Sequence, residues 1–312
     1  MDHFNLPELL TNARDLDEVK ELAEAGADAV IVGHQHFGLR VTGDFTLQEI
    51  EEALVYLNKS NKKLYVLINA IFHNERLIEL PSYLKALEEM GVHGIICGEP
   101  SIFPILAEIN SSLSVHWNPE TLATNYETLK YWQSKGISRA VLSNELSLDA
   151  IIEIKKELSL PVEVQVQGMT CIFQSKRKLV RNYYQHIQEE EEANYLQEKN
   201  LHLRQFKEDD SHYPIFEDCN GTHIMSNEDL CMIEHLLGII DGNIDCLRIN
   251  GLLKSRHYNK KIVSIYKEAI QLCVSNPAMY EKKKNEYVEE IIKMQPDERK
   301  LDTGFYFKEQ IY

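Results

Sequence analysis

LDEVKELAEAGADAVIVG, residues 16–33, is the stretch whose reading decides the fold. Leu16, Val19, Leu22 and Ala23 recur at helical spacing between charged residues, so the first part predicts an amphipathic helix. Gly26 stands where a left-handed residue closes such a helix. DAVIVG (28–33) then gives an almost unbroken apolar run, expected of a strand in a parallel sheet with both faces covered.

The unit recurs along the chain. PELLT (7–11) precedes it; KLYVLIN (63–69), HGIICG (93–98), LSVHWN (113–118), SRAVLS (138–143), VEVQVQG (162–168) and DCLRING (245–251) follow. Amphipathic segments separate most of them, and Gly91 and Gly136 repeat the closing role of Gly26. Eight strand candidates within about 275 residues match a TIM-type eightfold β/α barrel. The rival is a doubly wound open sheet, but no strand ends in a glycine-rich phosphate loop. The barrel is the expected fold.

One connection breaks the rhythm. From Met169 to Ser226 the chain exceeds an ordinary βα loop and predicts an insertion after strand 7 that covers the barrel mouth. Its middle, residues 183–210, reads as a charged helix or helix pair, with the acidic run 189–192 on a solvated face. Its end, YPIFEDCNGTHIMS, reads as extended with a turn at Asn220-Gly221. NEDLCMIEHLLGII (227–240) reads as a helix. The barrel is thus expected over residues 1–275, including the lid-like insertion 169–226, and a helical, aromatic-ended tail over 276–312.

With 44% hydrophobic and 26% charged residues, the 312-residue chain has the composition of an ordinary globular protein. No apolar run spans a bilayer and the start lacks a signal-peptide pattern, so a cytoplasmic protein with no membrane role is expected. A net charge of −16 repels nucleic acid: no DNA partner is expected, and any RNA role needs a local basic patch or a basic partner. The six cysteines are scattered without a C-x-x-C pair, which excludes a zinc ribbon or thioredoxin-type site.

Barrel chemistry sits at the C-terminal ends of strands, and that rule selects candidates. They are His34, His36, Arg40, Asn69, His73, Glu99, His116, Asn118, Glu145, Gln167, Cys171, Arg248 and Asn250. Such a polar ring suits a small anionic, oxygen-rich ligand. The alternatives stay open at this level: His116 is either a ligand contact or a satisfied core histidine, Glu145 a site group or a helix N-terminal carboxylate, Arg40 a carboxylate clamp or half of a surface ion pair. His34 and His36 form an H-x-H pair without a third ligand at recognisable spacing. No serine nucleophile elbow, H-E-x-x-H or P-loop occurs.

AGADAVIVG, FGLR, LYVLINAIFHN, SRAVLSNELSLDAI, EVQVQGMTC, HIMSNEDL and LRINGLLKSRHYNKKIVSIYKEAI together resemble the collagenase-like peptidase family (peptidase family U-32). The phrase EVQVQGMTCIFQSKR is similar to a branch linked to 5-hydroxyuridine formation at the tRNA wobble position. The resemblance implies oxygen-independent hydroxylation of tRNA, with prephenate as co-substrate and a four-iron–four-sulfur cluster held by four cysteines. This sequence departs from that pattern. Cys171 stands where the first ligand is expected, Lys178 replaces the second, and the family's histidine before the glycine is Gln167. Because a cluster needs full thiolate ligation, none is expected in this chain; a cluster-bearing paralogue is the expected partner, and tRNA would be reached through that complex.

Within the resemblance, Glu145, His116 and His73 are the candidate catalytic residues, and Arg40, Asn69, Asn118, Gln167, Arg248 and Asn250 the candidate substrate contacts. Lys176, Arg177 and Lys178 form the candidate RNA or partner contact, no metal site is expected, and Cys171 is a remnant of a cluster position. A peptidase and a non-catalytic scaffold for the paralogue are the competing functional classes.

Overall fold

Strands rich in valine, isoleucine and leucine on both faces need cover on both sides, and a closed parallel barrel inside a ring of helices provides it. A computed structural model of the chain, describing residues 6–187, 201–206 and 208–309, has this architecture. The barrel strands are β1 (Glu8–Asn12), β2 (Ala29–Gly33), β3 (Lys63–Leu67), β4 (Gly94–Cys97), β5 (Val115–Trp117), β6 (Arg139–Val141) and β7 (Val162–Gly168), with Cys246–Asn250 as the last. Every neighbouring pair is parallel, and the last strand pairs with both β1 and β7, which closes the circle.

The decisive stretch folds as its pattern requires. Asp15 caps the helix Leu16–Ala25 by accepting from the Glu18 amide, and Gly26 ends it at φ 115°. Val19 and Leu22 point into the core between helix and sheet, while β2 is buried throughout. Outside the barrel wall, the long helix Arg256–Ser275 packs on the first helix and on the tail helix Pro277–Ile292.

The insertion differs from expectation. After β8 (Cys171–Ser175) and a helix Leu179–His186, it forms β9 (His202–Gln205), β10 (Glu208–Asp218) and β11 (Gly221–Met225), a separate antiparallel sheet in the order β8-β11-β10-β9. Residues 202–205 and 208–210 are therefore strand rather than helix, and 213–218 is extended as expected; the acidic run 189–192 lies outside the described residues. The two-residue turn Cys219–Asn220 closes the β10–β11 hairpin, one residue before the expected Asn220-Gly221, with Gly221 pairing Asp218 as the first residue of β11.

The stretch 227–240 is also corrected. Asp229–Cys231 is a strand, β12, antiparallel to β7, and only Leu236–Asp241 is helical. Leu230 and Cys231 are held by the edge of β7 at Gly168 and Gln167, a non-local pairing that overrides helical periodicity. The barrel's last strand is accordingly β13, and β14 (Leu301–Asp302) extends β12 in parallel.

Candidate functional site

The C-terminal strand ends, the insertion sheet and the tail enclose a pocket of about 420 Å³. Asparagines build much of its wall. Asn69 Oδ1 accepts from the Leu39 amide at 2.8 Å, Asn12 Oδ1 from Gly251 at 2.7 Å, and Asn118 Oδ1 from Glu120 at 3.3 Å. Asn250 donates to the Met169 carbonyl at 2.8 Å and accepts from Leu252 at 3.2 Å. A carboxamide both donates and accepts, so each one satisfies loop backbone and fixes the βα loops to the strands below. Ile31, Leu67, Ile96, Leu142 and Leu252 supply apolar wall between these amides.

Two arginines face this space. Arg40, its side chain only 11% exposed, donates to Gln174 on β8 at 2.9 Å and pairs with Glu120. Arg248 rises from β13 and approaches Glu163 at 3.8 Å, and its buried Nε has no partner among the described residues. Below Arg248 the barrel is filled by a polar layer. Arg139 bonds Glu163 at 3.2 Å, Glu8 at 2.7 Å and the Tyr65 hydroxyl at 3.1 Å. Arg139 thus belongs to the end of the barrel opposite the mouth.

A bulge decides which glutamine enters the pocket. Opposite Arg248 and Ile249, β7 holds one extra residue, so the pairing jumps from Gln165 to Gln167. The extra residue breaks the in–out alternation. Gln165 stays inside and lines the pocket, donating to the Gly168 and Met169 carbonyls at 3.2 and 3.1 Å. Gln167 turns outward: it donates to the Tyr258 hydroxyl and accepts from Tyr266. Gly168, at φ 97° and pressed against the Asn250 carbonyl, has no room for a Cβ where the chain leaves the barrel.

The tail completes the enclosure. Asp302, Gly304, Phe305 and Lys308 line the pocket, and the buried Tyr306 hydroxyl donates to the Gln165 carbonyl at 2.7 Å. Behind it, Arg299 donates to the fully buried Asp229 at 2.6 Å, and Lys254 bonds the same carboxylate. Burial works to raise Asp229, but Lys254 and Arg299 outweigh it and hold the carboxyl below its usual range. Burial also holds Lys254 below the usual lysine range, against the pull of Asp229. Two cations on one carboxylate leave Asp229 firmly charged at the centre of the cluster.

Of the residues expected at the mouth, Arg40, Asn69, Asn118, Glu145, Cys171, Arg248 and Asn250 line the pocket. Gln167 does not, for the reason given. His116 faces inward one layer too low, against Tyr65 at a ring distance of 4.4 Å; burial, reinforced by Arg139 and Lys63, pushes it well below the ordinary histidine range. Asn118, two residues on and just past the end of β5, reaches the pocket. His73 is an exposed residue preceding the short helix Asn74–Leu77. His34 and His36 lie beside Asp44 and Glu79 outside the pocket, and Glu99 accepts from the Ser101 amide. Asn12, Gln165 and the tail contacts were missed: Asn12 lies one residue beyond PELLT, and alternation through EVQVQG makes Gln165 the equal of Gln167. Nothing local in the tail's sequence points to the mouth.

The cysteines do not form a cluster-ligand set. Cys171 alone lines the pocket; Cys219 sits on the β10–β11 turn against the Gln35 carbonyl; Cys97, Cys231, Cys246 and Cys273 are buried in or behind the barrel wall. Among the described residues no group of three or more His, Cys, Asp or Glu is placed to hold a metal. Burial pushes the Cys171 thiol up against the opposing pull of Arg40, and no histidine lines the pocket beside it. Burial thus favours the protonated thiol, a poorer nucleophile than the thiolate.

The sequence profile of Peptidase family U32 matches residues 14–311. The chain belongs to that family. Among U32 relatives, it is 43% identical over 306 residues to tRNA hydroxylation protein P2 of Bacillus subtilis, covering 98% of this chain and 99% of the relative. It is 31% identical to tRNA hydroxylation protein P1 of the same organism, covering 98% of this chain and 73% of that longer protein. Among solved structures, a dihydrodipicolinate synthase shares the barrel with a TM-score of 0.50 at 10% identity, over 92% of this chain and 82% of that one. No helix among the described residues is long and apolar enough to cross a membrane.

Proposed function

We propose that this U32 chain takes part in hydroxylation of tRNA at the 5-position of the wobble uridine. The observation that carries this reading is a pocket with Arg40 and Arg248 on its wall, in a chain alike over nearly its full length to a tRNA hydroxylation protein. A guanidinium fork suits a carboxylate, and apolar wall between fixed amides suits a small carbocyclic acid, for which prephenate is the candidate co-substrate. Arg40 and Arg248 bind its carboxylates, Asn69, Asn118 and Asn250 hold the loops that orient it, and Glu145 at the rim accepts a proton. In this reading the chain holds no iron–sulfur cluster, because only one pocket residue is a cysteine. A longer, cluster-bearing U32 paralogue in the cytoplasm supplies the redox step. That one organism has both P1 and P2, each alike to this chain, supports such pairing. A peptidase with Cys171 as nucleophile is disfavoured by the burial that favours its protonated thiol and by the lack of a pocket histidine.

The test is mass spectrometry of bulk tRNA from cells lacking this gene together with its longer paralogue. Loss of 5-hydroxyuridine derivatives is expected; an unchanged level refutes the reading.

A further inference from the structure

The strand that carries Cys171 and Ile172 on the pocket wall leads into a cationic turn that the proposed function does not use. Lys176, Arg177 and Lys178 follow β8 directly, and Arg181 lies on the helix that comes next; all four are exposed and lack an ionic partner among the described residues. Acidic side chains close to this turn are engaged inward. Glu217 Oε1 accepts from the Val180 amide and the Thr222 hydroxyl, both at 2.7 Å. Asp218 accepts from the Asn220 amide at 2.7 Å and from His223 at 3.0 Å. At this turn the described carboxylates Glu217 and Asp218 are engaged inward while the cations stay exposed, in a chain whose net charge is −16.

This turn is held firmly against the barrel. Thr222 Oγ1 accepts from the Leu179 amide at 2.9 Å and lies 2.7 Å from the Arg177 carbonyl. The adjoining Asn220 donates to the Gln35 and Gly38 carbonyls at 2.8 and 3.1 Å and accepts from Arg76 at 2.7 Å. Gln174, two residues before Lys176, touches the pocket's Arg40. At roughly 3.3 Å per extended residue, the first cation lies within about 7 Å of chain from that contact, about one nucleotide step. Phe173, 45% exposed, stands on the same strand, and Tyr183, 59% exposed, on the helix beside Arg181.

We propose that Lys176, Arg177, Lys178 and Arg181, with Phe173 and Tyr183, form a docking surface for single-stranded RNA that presents one base to the pocket. The proposal rests on the hydroxylation reading for the identity of the RNA and on the structure for the surface. Exposed cations neutralise phosphates, and aromatic faces stack unpaired bases without regard to sequence. The exposed aromatic rings that flank the cations, and the link through Gln174 to Arg40 on the pocket wall, favour RNA over an acidic protein segment.

The experiment measures binding of a fluorescent anticodon stem-loop to the full chain, alone and with its longer paralogue, across a salt series. Replacing Lys176→Ala, Arg177→Ala and Lys178→Ala together is expected to weaken binding at least about tenfold and to flatten the log–log salt slope by about 2. The charge-preserving set Lys176→Arg, Arg177→Lys and Lys178→Arg is expected to bind as wild type, which separates lost charge from lost fold. Phe173→Ala is expected to weaken binding about tenfold with the salt slope kept. Undiminished RNA binding by the alanine set overturns the proposal. So does loss of paralogue assembly with RNA affinity intact, which makes the surface a protein contact. If tRNA hydroxylation survives deletion of both genes while the alanine set still loses RNA, the functional reading fails and the docking surface stands.

Discussion

Arg40 and Glu120 form an ion pair across the pocket mouth, and both residues hold left-handed backbone, at φ 52° and φ 57°. Non-glycine residues in that region carry a conformational cost of order 1 kcal/mol each, sustained when surrounding contacts over-determine them. Arg40 meets that condition through Gln174 and Glu120, which aim its guanidinium along the rim.

Arg40→Ala is therefore expected to remove anion binding while leaving the fold in place. Losing charge-assisted hydrogen bonds costs about 1.5–3 kcal/mol, roughly 10- to 150-fold in Kd. Titration calorimetry with prephenate reads this directly, and Arg40→Lys should restore only part of the affinity because a fork is replaced by a point charge. Wild-type affinity in Arg40→Ala would remove Arg40 from the binding site.

The bulge in β7 gives the paired glutamines opposite phenotypes. Gln167→Leu strips a partner from the buried Tyr258 and Tyr266 hydroxyls and should lower stability by about 1–3 kcal/mol without changing ligand affinity. Gln165→Leu should weaken ligand binding more than it weakens the fold. Denaturant unfolding and calorimetry on the two variants check the contrast; matching phenotypes count against the assignment.

Asp229 carries the attachment of the tail. Asp229→Asn leaves Lys254 and Arg299 buried without a countercharge, and breaking a buried pair in this way costs about 3–5 kcal/mol. Since the folded-state value of Asp229 is depressed, its contribution is complete above the unfolded value of about 3.9 and is lost as pH falls through the folded value. Acid unfolding of wild type and variant should converge at low pH, with limited proteolysis reporting early release of residues after the tail helix.

His116 provides a separate acid-sensitive element. Its folded value lies well below the ordinary histidine value of about 6.5, so the unfolded chain binds the extra proton first. The stability it confers is full above about pH 6.5 and declines as pH falls toward the folded value. His116→Gln should reduce that slope, and its ring signals in NMR should not titrate between pH 6 and 8.

Iron analysis of each chain after anaerobic purification with the longer paralogue checks the division of labour. Iron and an iron–sulfur absorbance band are expected in the partner alone. Stoichiometric iron in this chain would overturn the reading of Cys171 as an isolated thiol.

Local pattern reached far into this fold because parallel barrels repeat one unit. LDEVKELAEAG and DAVIVG each carry their own cap, period and apolar face, so each could be read without its neighbours. The strand-end rule likewise placed Arg40, Asn69, Asn118, Arg248 and Asn250 on the pocket wall, since position along a strand fixes height in a barrel. It failed for His116 by one layer, for Gln167 by one bulge, and for His34, His36, His73 and Glu99, which sit on loops or local turns outside the pocket. Height and facing depend on stagger between strands, which pairing partners set.

The sequence by itself determined the eightfold barrel, the site of its insertion, a hairpin turn beside Gly221 and a scatter of cysteines without a C-x-x-C pair. Tertiary structure alone decided that the insertion is a sheet, that Asp229–Cys231 joins the edge of β7, and that the tail returns to the pocket through Tyr306 and Asp229. The physical reason is range. Helix periodicity and caps act within a few residues, whereas strand pairing and buried ion clusters join residues such as Asp229 and Arg299, whose partnership no local pattern encodes.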